Sequence, residues 1–255
     1  MRSILLVLCA ALIGGGALLA AGTTTPARVA VPAATADAGD KVAFGKKIRE
    51  YLIANPEVLV EAMQELERRQ DNQRDAVALK AIRQHKAELL ADPDSPSGGN
   101  ANGDVIIVDF NDYQCPYCKR AHQAVKSVVA ADGKVKVVYK DLPILGEPSR
   151  IAAFAALAAV KQGKHLALHN ALMEFSGKLD RARILEIAAS VGLDVALLEK
   201  DMDDPKFKQV IDRNMALASA LGLRGTPAFV IGDQFVPGAI DADALKQLIA
   251  EARKR

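Results

Sequence analysis

The chain has 255 residues, of which half are apolar and a quarter are charged, and its net charge is +2. This composition is that of a globular protein with one or two domains and a full hydrophobic core. Lysine and arginine are interspersed with aspartate and glutamate, except in a short basic tail at 253–255. This near-neutral balance excludes a dedicated nucleic-acid-binding surface.

The amino terminus has the features of an export signal. Arg2 precedes an apolar run over 4–21 that ends in small residues, as in secretory signal peptides. We predict a signal peptide over 1–22 and a flexible leader over 23–40, which is rich in alanine, threonine and proline. An uncleaved membrane anchor is the alternative, because the run is about long enough to span a bilayer. Both alternatives place the rest of the chain in the periplasm.

Two amphipathic segments follow the leader. Their apolar residues recur at helical spacing, as Val42, Ile48 and Leu52 and then as Leu59, Met63 and Leu66. The polar stretch over 67–75 predicts either a solvated helix or a hinge. We predict a helical arm over 41–91, in which 41–66 self-associates because so short a helical pair buries its apolar stripe poorly alone. The alternative is an exposed helix that packs at its ends on its own domain.

The rest of the chain predicts one α/β domain. Residues 92–104, with two prolines and three glycines, are predicted to be a linker before a catalytic domain over 105–255. The predicted elements are a strand over 105–110, a helix opening at Cys115, a parallel strand over 135–139, a helical insertion over 147–221, a hairpin over 226–236 and a last helix capped by Asp241 or Asp243.

The chemistry centres on Cys115-Pro116-Tyr117-Cys118, which lies between the first strand and its helix. A helix amino terminus favours a thiolate over a thiol, so we predict Cys115 as the attacking sulfur and Cys118 as the resolving sulfur. Once the signal is removed, no other cysteines remain, and two cysteines so close in sequence form no structural disulfide framework. A tetrahedral zinc site needs four ligands, and His122 is the nearest further candidate. Redox chemistry is therefore predicted.

Three histidines are candidate metal ligands. His165 and His169 are four residues apart on a predicted helix, which is the spacing of a two-histidine metal face. No acidic residue follows His165, so we predict an exposed pair without a metal. We predict that His122 lies on a helix face without a functional role.

Residues 100–255 resemble the DsbA-like branch of the thioredoxin superfamily. The resemblance is carried by the strand, the Cys115–Cys118 motif, the helical insertion and Gly225-Thr226-Pro227 before the hairpin. It implies a thioredoxin-like fold, a cis Thr226–Pro227 bond facing the cysteines, and a substrate chain paired with the backbone of Thr226. It also implies no cofactor beyond a redox-active Cys115–Cys118 disulfide, whose redox balance Pro116 and Tyr117 help to set.

Relatives in that branch carry a buried acid beneath the cysteines. Asp109, six residues before Cys115, matches its position. We predict that Asp109 accepts the proton of Cys118; the alternative is a hydrogen-bonded residue at the end of a strand. Asp112 lies in the turn, where we expect exposure.

Residues 46–59 resemble the leading helical region of ScsC-type proteins, the copper-tolerance-associated relatives of DsbA. This resemblance implies a homo-oligomer, a dimer or a trimer, that isomerises or reduces disulfides in misoxidised exported proteins and exchanges electrons with a membrane redox partner. Two alternatives use the same residues: a monomeric DsbA-like oxidase, and a protein that binds Cu(I) through Cys115 and Cys118.

Overall fold

The computed structural model describes residues 38–254. The described residues divide into two compact units, with the boundary between residues 58 and 59. The predicted signal peptide and most of the predicted leader lie outside the described residues. Among the helices of the described part, none combines the length and the apolar character that a membrane crossing requires.

The first unit contains helix α1 (Ala38–Ala54). The Asn55 side chain donates a hydrogen bond to the Tyr51 carbonyl at 2.8 Å and so closes the end of α1. The apolar side chains of α1 are exposed, with Val42 at 74% and Phe44 at 65%. The helix therefore carries apolar surface that its own unit leaves uncovered.

Helix α2 (Glu57–Gln84) is one continuous helix of 28 residues. The polar stretch over 67–75 lies inside this helix. Near its end Ala81 and Ile82 are buried, and the short helix α3 (Lys86–Leu90) buries Leu89. These three residues join the core under one face of the sheet. The last part of the predicted arm therefore belongs to the catalytic domain.

The domain is built on a five-stranded mixed sheet. The strands are β1 (Ser97–Gly99), β2 (Val105–Asn111), β3 (Val135–Asp141), β4 (Ala228–Ile231) and β5 (Gln234–Pro237), in the order β1-β3-β2-β4-β5. The central pair, β2 and β3, is parallel as predicted, and the other pairs are antiparallel. Helix α4 (Pro116–Asp132) is the crossover of this parallel pair.

The segment 92–104 is not a free linker, which corrects the prediction. Strand β1 lies within it and pairs with β3, and the Tyr139 N–H donates to the Pro96 carbonyl at 2.9 Å. Lys140, only 1% exposed, pairs with the Asp92 carboxylate at 2.7 Å. Proline and glycine permit this short edge strand and its turns, and the same residues made the segment resemble a linker.

The helical insertion lies at 147–220, as predicted. Its helices are α5 (Glu147–Ala158), a 3₁₀ turn (Ala159–Gln162), α6 (His165–Glu174), α7 (Arg181–Ser190), α8 (Val195–Met202) and α9 (Pro205–Ala220). Aspartates cap four helix amino termini: Asp180, Asp194, Asp204 and Asp241 cap α7, α8, α9 and the last helix α10 (Ala242–Ala252). Helices α4 and α10 cover one face of the sheet, and α3 and α9 contact the other.

Candidate active site

Cys115 is the amino-terminal cap of α4. Its sulfur accepts a hydrogen bond from the Cys118 N–H, at 3.4 Å. Its thiol donates to the Thr226 carbonyl oxygen at 3.2 Å. Both cysteines are free thiols. The backbone N–H groups of the first turn stabilise a thiolate in this position more than a thiol.

The segment opposite Cys115 is the turn that leads into β4. The Thr226–Pro227 peptide bond is cis. The Pro227 carbonyl accepts a hydrogen bond from the Gly238 N–H at 2.9 Å, which ties the turn to the end of the hairpin. The backbone carbonyl of Thr226 faces the Cys115 sulfur.

Cys118 lies one turn further into α4 and is 2% exposed. Burial raises the pKa of its thiol well above the ordinary value. Both cysteine side chains are buried. The two sulfurs are nevertheless unequal, because Cys115 receives the helix-end hydrogen bond whereas the Cys118 thiol, with its raised pKa, needs a base before it can attack.

Asp109 lies on the face of β2 that packs under α4. Side chains alternate along a strand, and Ile107 on the same face shares a core with Ala121 of α4. Asp109 is 5% exposed, and its Oδ1 has no hydrogen-bond partner among residues 38–254. Burial, and then the charge of Asp141, raises the pKa of Asp109 to about 7.

Asp141 is a second buried acid, which the sequence reasoning missed. It ends β3 on the same face as Asp109, whose cross-strand partner is Tyr139. Burial raises the pKa of Asp141 to about 7, and neither of its carboxylate oxygens has a partner in the described part of the chain. The alternation Val135, Val137, Tyr139, Asp141 beside β2 was the available signal.

Asp109→Asn is expected to stabilise the fold at pH 8 and to change little at pH 4. The carboxyl pKa is about 7 in the folded chain against the ordinary 3.8, so the stability that protonated Asp109 contributes is complete below pH ~4 and is lost as the pH rises through 7. Asparagine imitates the protonated acid, so the variant should avoid a loss of about 4 kcal/mol. Urea unfolding at both pH values measures this, with exposed Asp233→Asn as the control. An equal loss of stability between pH 4 and pH 8 in wild type and in Asp109→Asn would contradict this prediction.

Asp112 is buried at 1% exposure, so the expectation of exposure is wrong. One carboxylate oxygen accepts from the Gln114 N–H at 2.8 Å and the Ser149 hydroxyl at 2.7 Å. The other accepts from the Ile144 and Leu145 N–H groups at 2.9 and 3.0 Å. Asp112 therefore fastens the cysteine turn to the loop between β3 and α5.

The histidines are buried as well, which corrects the predicted exposed pair. His165 is 7% exposed, His169 is 0% and His122 is 5%. The rings of His122 and His169 are 5.3 Å apart, and those of His165 and His169 are 5.7 Å apart. Burial lowers the pKa of all three, that of His165 to about 4, so the imidazoles are neutral at pH 7. The described residues contain no group of three or more ligands placed to hold a metal ion.

The DSBA-like thioredoxin domain family matches residues 106–250, more than half of the chain. The chain belongs to the DsbA-like thioredoxin family. Residues 40–73 match the N-terminal domain of the copper resistance protein ScsC, so the second predicted resemblance is confirmed too.

Two solved structures show the likeness over different lengths. A thioredoxin-like oxidoreductase from Silicibacter pomeroyi is 48% identical, with a TM-score of 0.65, and the match covers 67% of this chain and 98% of that one. Proteus mirabilis ScsC in a transitional conformation is 32% identical, with a TM-score of 0.64, and the match covers 86% of this chain and 99% of that one. The second match extends beyond the DsbA-like domain.

The chain spans about a quarter of the length of the first curated relatives that it matches. One is the Na(+)/H(+) antiporter NhaA 1 of Salinispora arenicola, 27% identical over 184 residues, which are 70% of this chain and 28% of that protein. A DsbA-like segment therefore also occurs within larger proteins.

The surface beside Cys115 in this DsbA-like domain is apolar. Tyr117 is 56% exposed, and Ile144 and Leu145 are exposed on the loop that Asp112 holds. On the other side, Lys119 donates to the Phe175 carbonyl at 2.6 Å, so the start of α4 is also tied to the helical insertion. The cysteine pair therefore sits in a rigid frame with exposed apolar neighbours.

Proposed function

We propose that this DsbA-like protein is a periplasmic thiol–disulfide oxidoreductase that acts on exported proteins through Cys115 and Cys118. The observation that carries the proposal is the Cys115 sulfur at the helix amino terminus, bonded to the Cys118 N–H at 3.4 Å and facing the Thr226 carbonyl at 3.2 Å. The exposed apolar side chains of Tyr117, Ile144 and Leu145 suit unfolded client chains. A membrane redox partner would return the cysteine pair to its starting redox state.

The chemistry follows from the inequality of the sulfurs. The Cys115 thiolate attacks a client disulfide, forms a mixed disulfide and releases one client sulfur as a thiolate. Cys118 then gives its proton to Asp109 and attacks the Cys115 sulfur. The Cys115–Cys118 disulfide forms, and the second client sulfur leaves as a thiolate. Thr226 and Pro227 hold the client chain against the sulfur throughout. When the oxidised protein meets client thiols, each step runs in reverse.

We propose that the protein isomerises client disulfides and that it does so as an oligomer. Leu59, Met63 and Leu66 form one stripe on α2, and all three are at least half exposed in the single chain. An uncovered apolar stripe of this kind suits self-association. An oligomer presents several Cys115 sulfurs to one client, and the tethered second site raises the local thiolate concentration. This favours shuffling of disulfides over one-way oxidation.

Deletion of residues 41–66 is expected to convert the mature protein from a dimer or trimer to a monomer and to reduce its refolding of scrambled ribonuclease. The oxidation of reduced ribonuclease should survive, because the sulfurs stay in place. Light scattering and the two refolding assays measure this. A full-length chain that is monomeric, or a truncated chain with undiminished isomerase activity, would contradict the role of the arm and favour a monomeric oxidase.

A Cu(I)-binding role remains the alternative from another class. Both thiols are free and lie at one helix end, and thiolates suit this soft ion. Titration of the reduced protein with Cu(I), beside the ribonuclease assays, separates the two functions. Tight Cu(I) binding without redox activity would overturn the oxidoreductase.

A further inference from the structure

A row of titratable side chains leads from beneath the cysteines to the surface. The Tyr113 hydroxyl lies 3.0 Å from His169 Nδ1. The His169 ring contacts the His122 ring at 5.3 Å between centroids. His122 Nε2 is 3.7 Å from Glu174 Oε1, and the Glu174 side chain is 40% exposed. The row therefore runs from the buried Tyr113 to a carboxylate at the surface.

The inner end of the row is the carboxyl pair. Tyr113 is buried, and the nearby Asp141 carboxylate adds to the rise in the pKa of its hydroxyl. Asp141 lies two residues beyond Tyr139, the cross-strand partner of Asp109, and its charge raises the pKa of the Asp109 carboxyl. Asp109, Asp141 and Tyr113 therefore form one electrostatic group behind the cysteines.

Several atoms along the row have no partner in residues 38–254: Asp109 Oδ1, both oxygens of Asp141, His122 Nε2 and His169 Nε2. Burying unpaired polar atoms is costly. At the outer end of the row, His122 lines a cavity of about 420 Å³ together with Tyr139 and Asn170. This volume has room for several water molecules, and polar atoms beside such a space hold bridging waters.

The proposed reaction releases a proton at a buried site. When Cys118 attacks, its proton passes to the buried Asp109 and must reach solvent before the next cycle. We propose that Asp141, Tyr113, His169 and His122 form a proton path from Asp109 to Glu174 and the solvent. A neutral imidazole accepts a proton on one nitrogen and releases one from the other, which suits it to a relay. This inference rests on the proposed function.

The step to be tested is the closing of the cysteine disulfide. Oxidised glutathione reacts with the Cys115 thiolate to give a Cys115–glutathione disulfide and a glutathione thiolate. Cys118 then displaces the second glutathione as a thiolate, and the Cys118 proton leaves along the path. Acid quenching and mass spectrometry follow both steps in the full chain.

Tyr113→Phe and His122→Ala are expected to slow the second step roughly a hundredfold, the lower end of what a proton-transfer group contributes, and to leave the first step unchanged. Added imidazole should restore the rate of His122→Ala, because that substitution opens beside the cavity. His165→Gln is the matched control: it removes a buried imidazole from the same helix as His169 but leaves the path intact, so both steps should keep the wild-type rate.

Wild-type rates of closing in both path variants would overturn the inference. Equal slowing in His165→Gln, with no effect of imidazole on His122→Ala, would overturn it too, because disturbed packing would then explain the loss. Tyr113→Phe removes only a hydroxyl, so it keeps the test decisive if His122→Ala does not fold. A wild-type protein that never forms the internal disulfide would instead refute the proposed function.

Discussion

Replacing Cys115 by serine is expected to lower the turnover of client disulfides roughly a thousandfold or more, because a hydroxyl in this position stays protonated and is a poor nucleophile. Cys118→Ser should behave differently. The Cys115 thiolate still attacks, but the resolving sulfur is gone, so mixed disulfides with clients should accumulate and be visible on non-reducing gels. These opposite outcomes follow from the difference between the two sulfurs: Cys115 accepts the Cys118 N–H at the helix end, whereas burial raises the pKa of the Cys118 thiol.

Alkylation tests the difference in reactivity between the two cysteines in the wild-type protein. In the reduced wild-type protein at pH 7, iodoacetamide should modify Cys115 well before Cys118, because the thiolate is the reactive species and the pKa of buried Cys118 is raised. Mass spectrometry of the peptides gives the order. Modification of Cys115 no faster than a free cysteine would remove the basis for its catalytic role, and mixed disulfides that fail to accumulate in Cys118→Ser would remove the resolving role.

Periodicity and a short motif were sufficient for the main architecture. The apolar run that became β2, the β-branched run that became β3 and the cysteines between them predicted the central βαβ unit and the cap at Cys115. These signals are local: each lies within a few residues of the element that it predicts. The helical insertion was found in the same way, from a long stretch without a strand pattern.

The features that were missed depend on contacts distant in sequence. Asp112 looked exposed because a turn usually is, but its donors come from Ile144, Leu145 and Ser149, which the fold brings to it. His165 and His169 looked exposed because one helix alone does not show which of its faces another helix covers. Strand β1 is only three residues long, too short for alternation to show.

Asp112→Ala is expected to lower the free energy of unfolding by about 4 kcal/mol, because four donors lose a buried charged acceptor at once. The loop that carries Ile144 and Leu145 should loosen. Client binding should weaken more than the reactivity of Cys115 falls, since the Cys115 N–H bonds the Asp112 backbone carbonyl, which the substitution keeps. Urea unfolding, the KM for a client peptide and the alkylation rate measure these three quantities.

Asp112→Asn is the matched control, because an amide keeps one oxygen and so retains one of the two pairs of donors. Asp112→Asn should lower the free energy of unfolding by about half as much as Asp112→Ala does. If the two variants instead unfold together with wild type, the carboxylate is not what fastens the loop. If the alkylation rate falls as far as client binding, Asp112 acts on the sulfur itself and the apolar loop is not its main target. The comparison therefore separates a residue that shapes the client surface from one that activates the nucleophile.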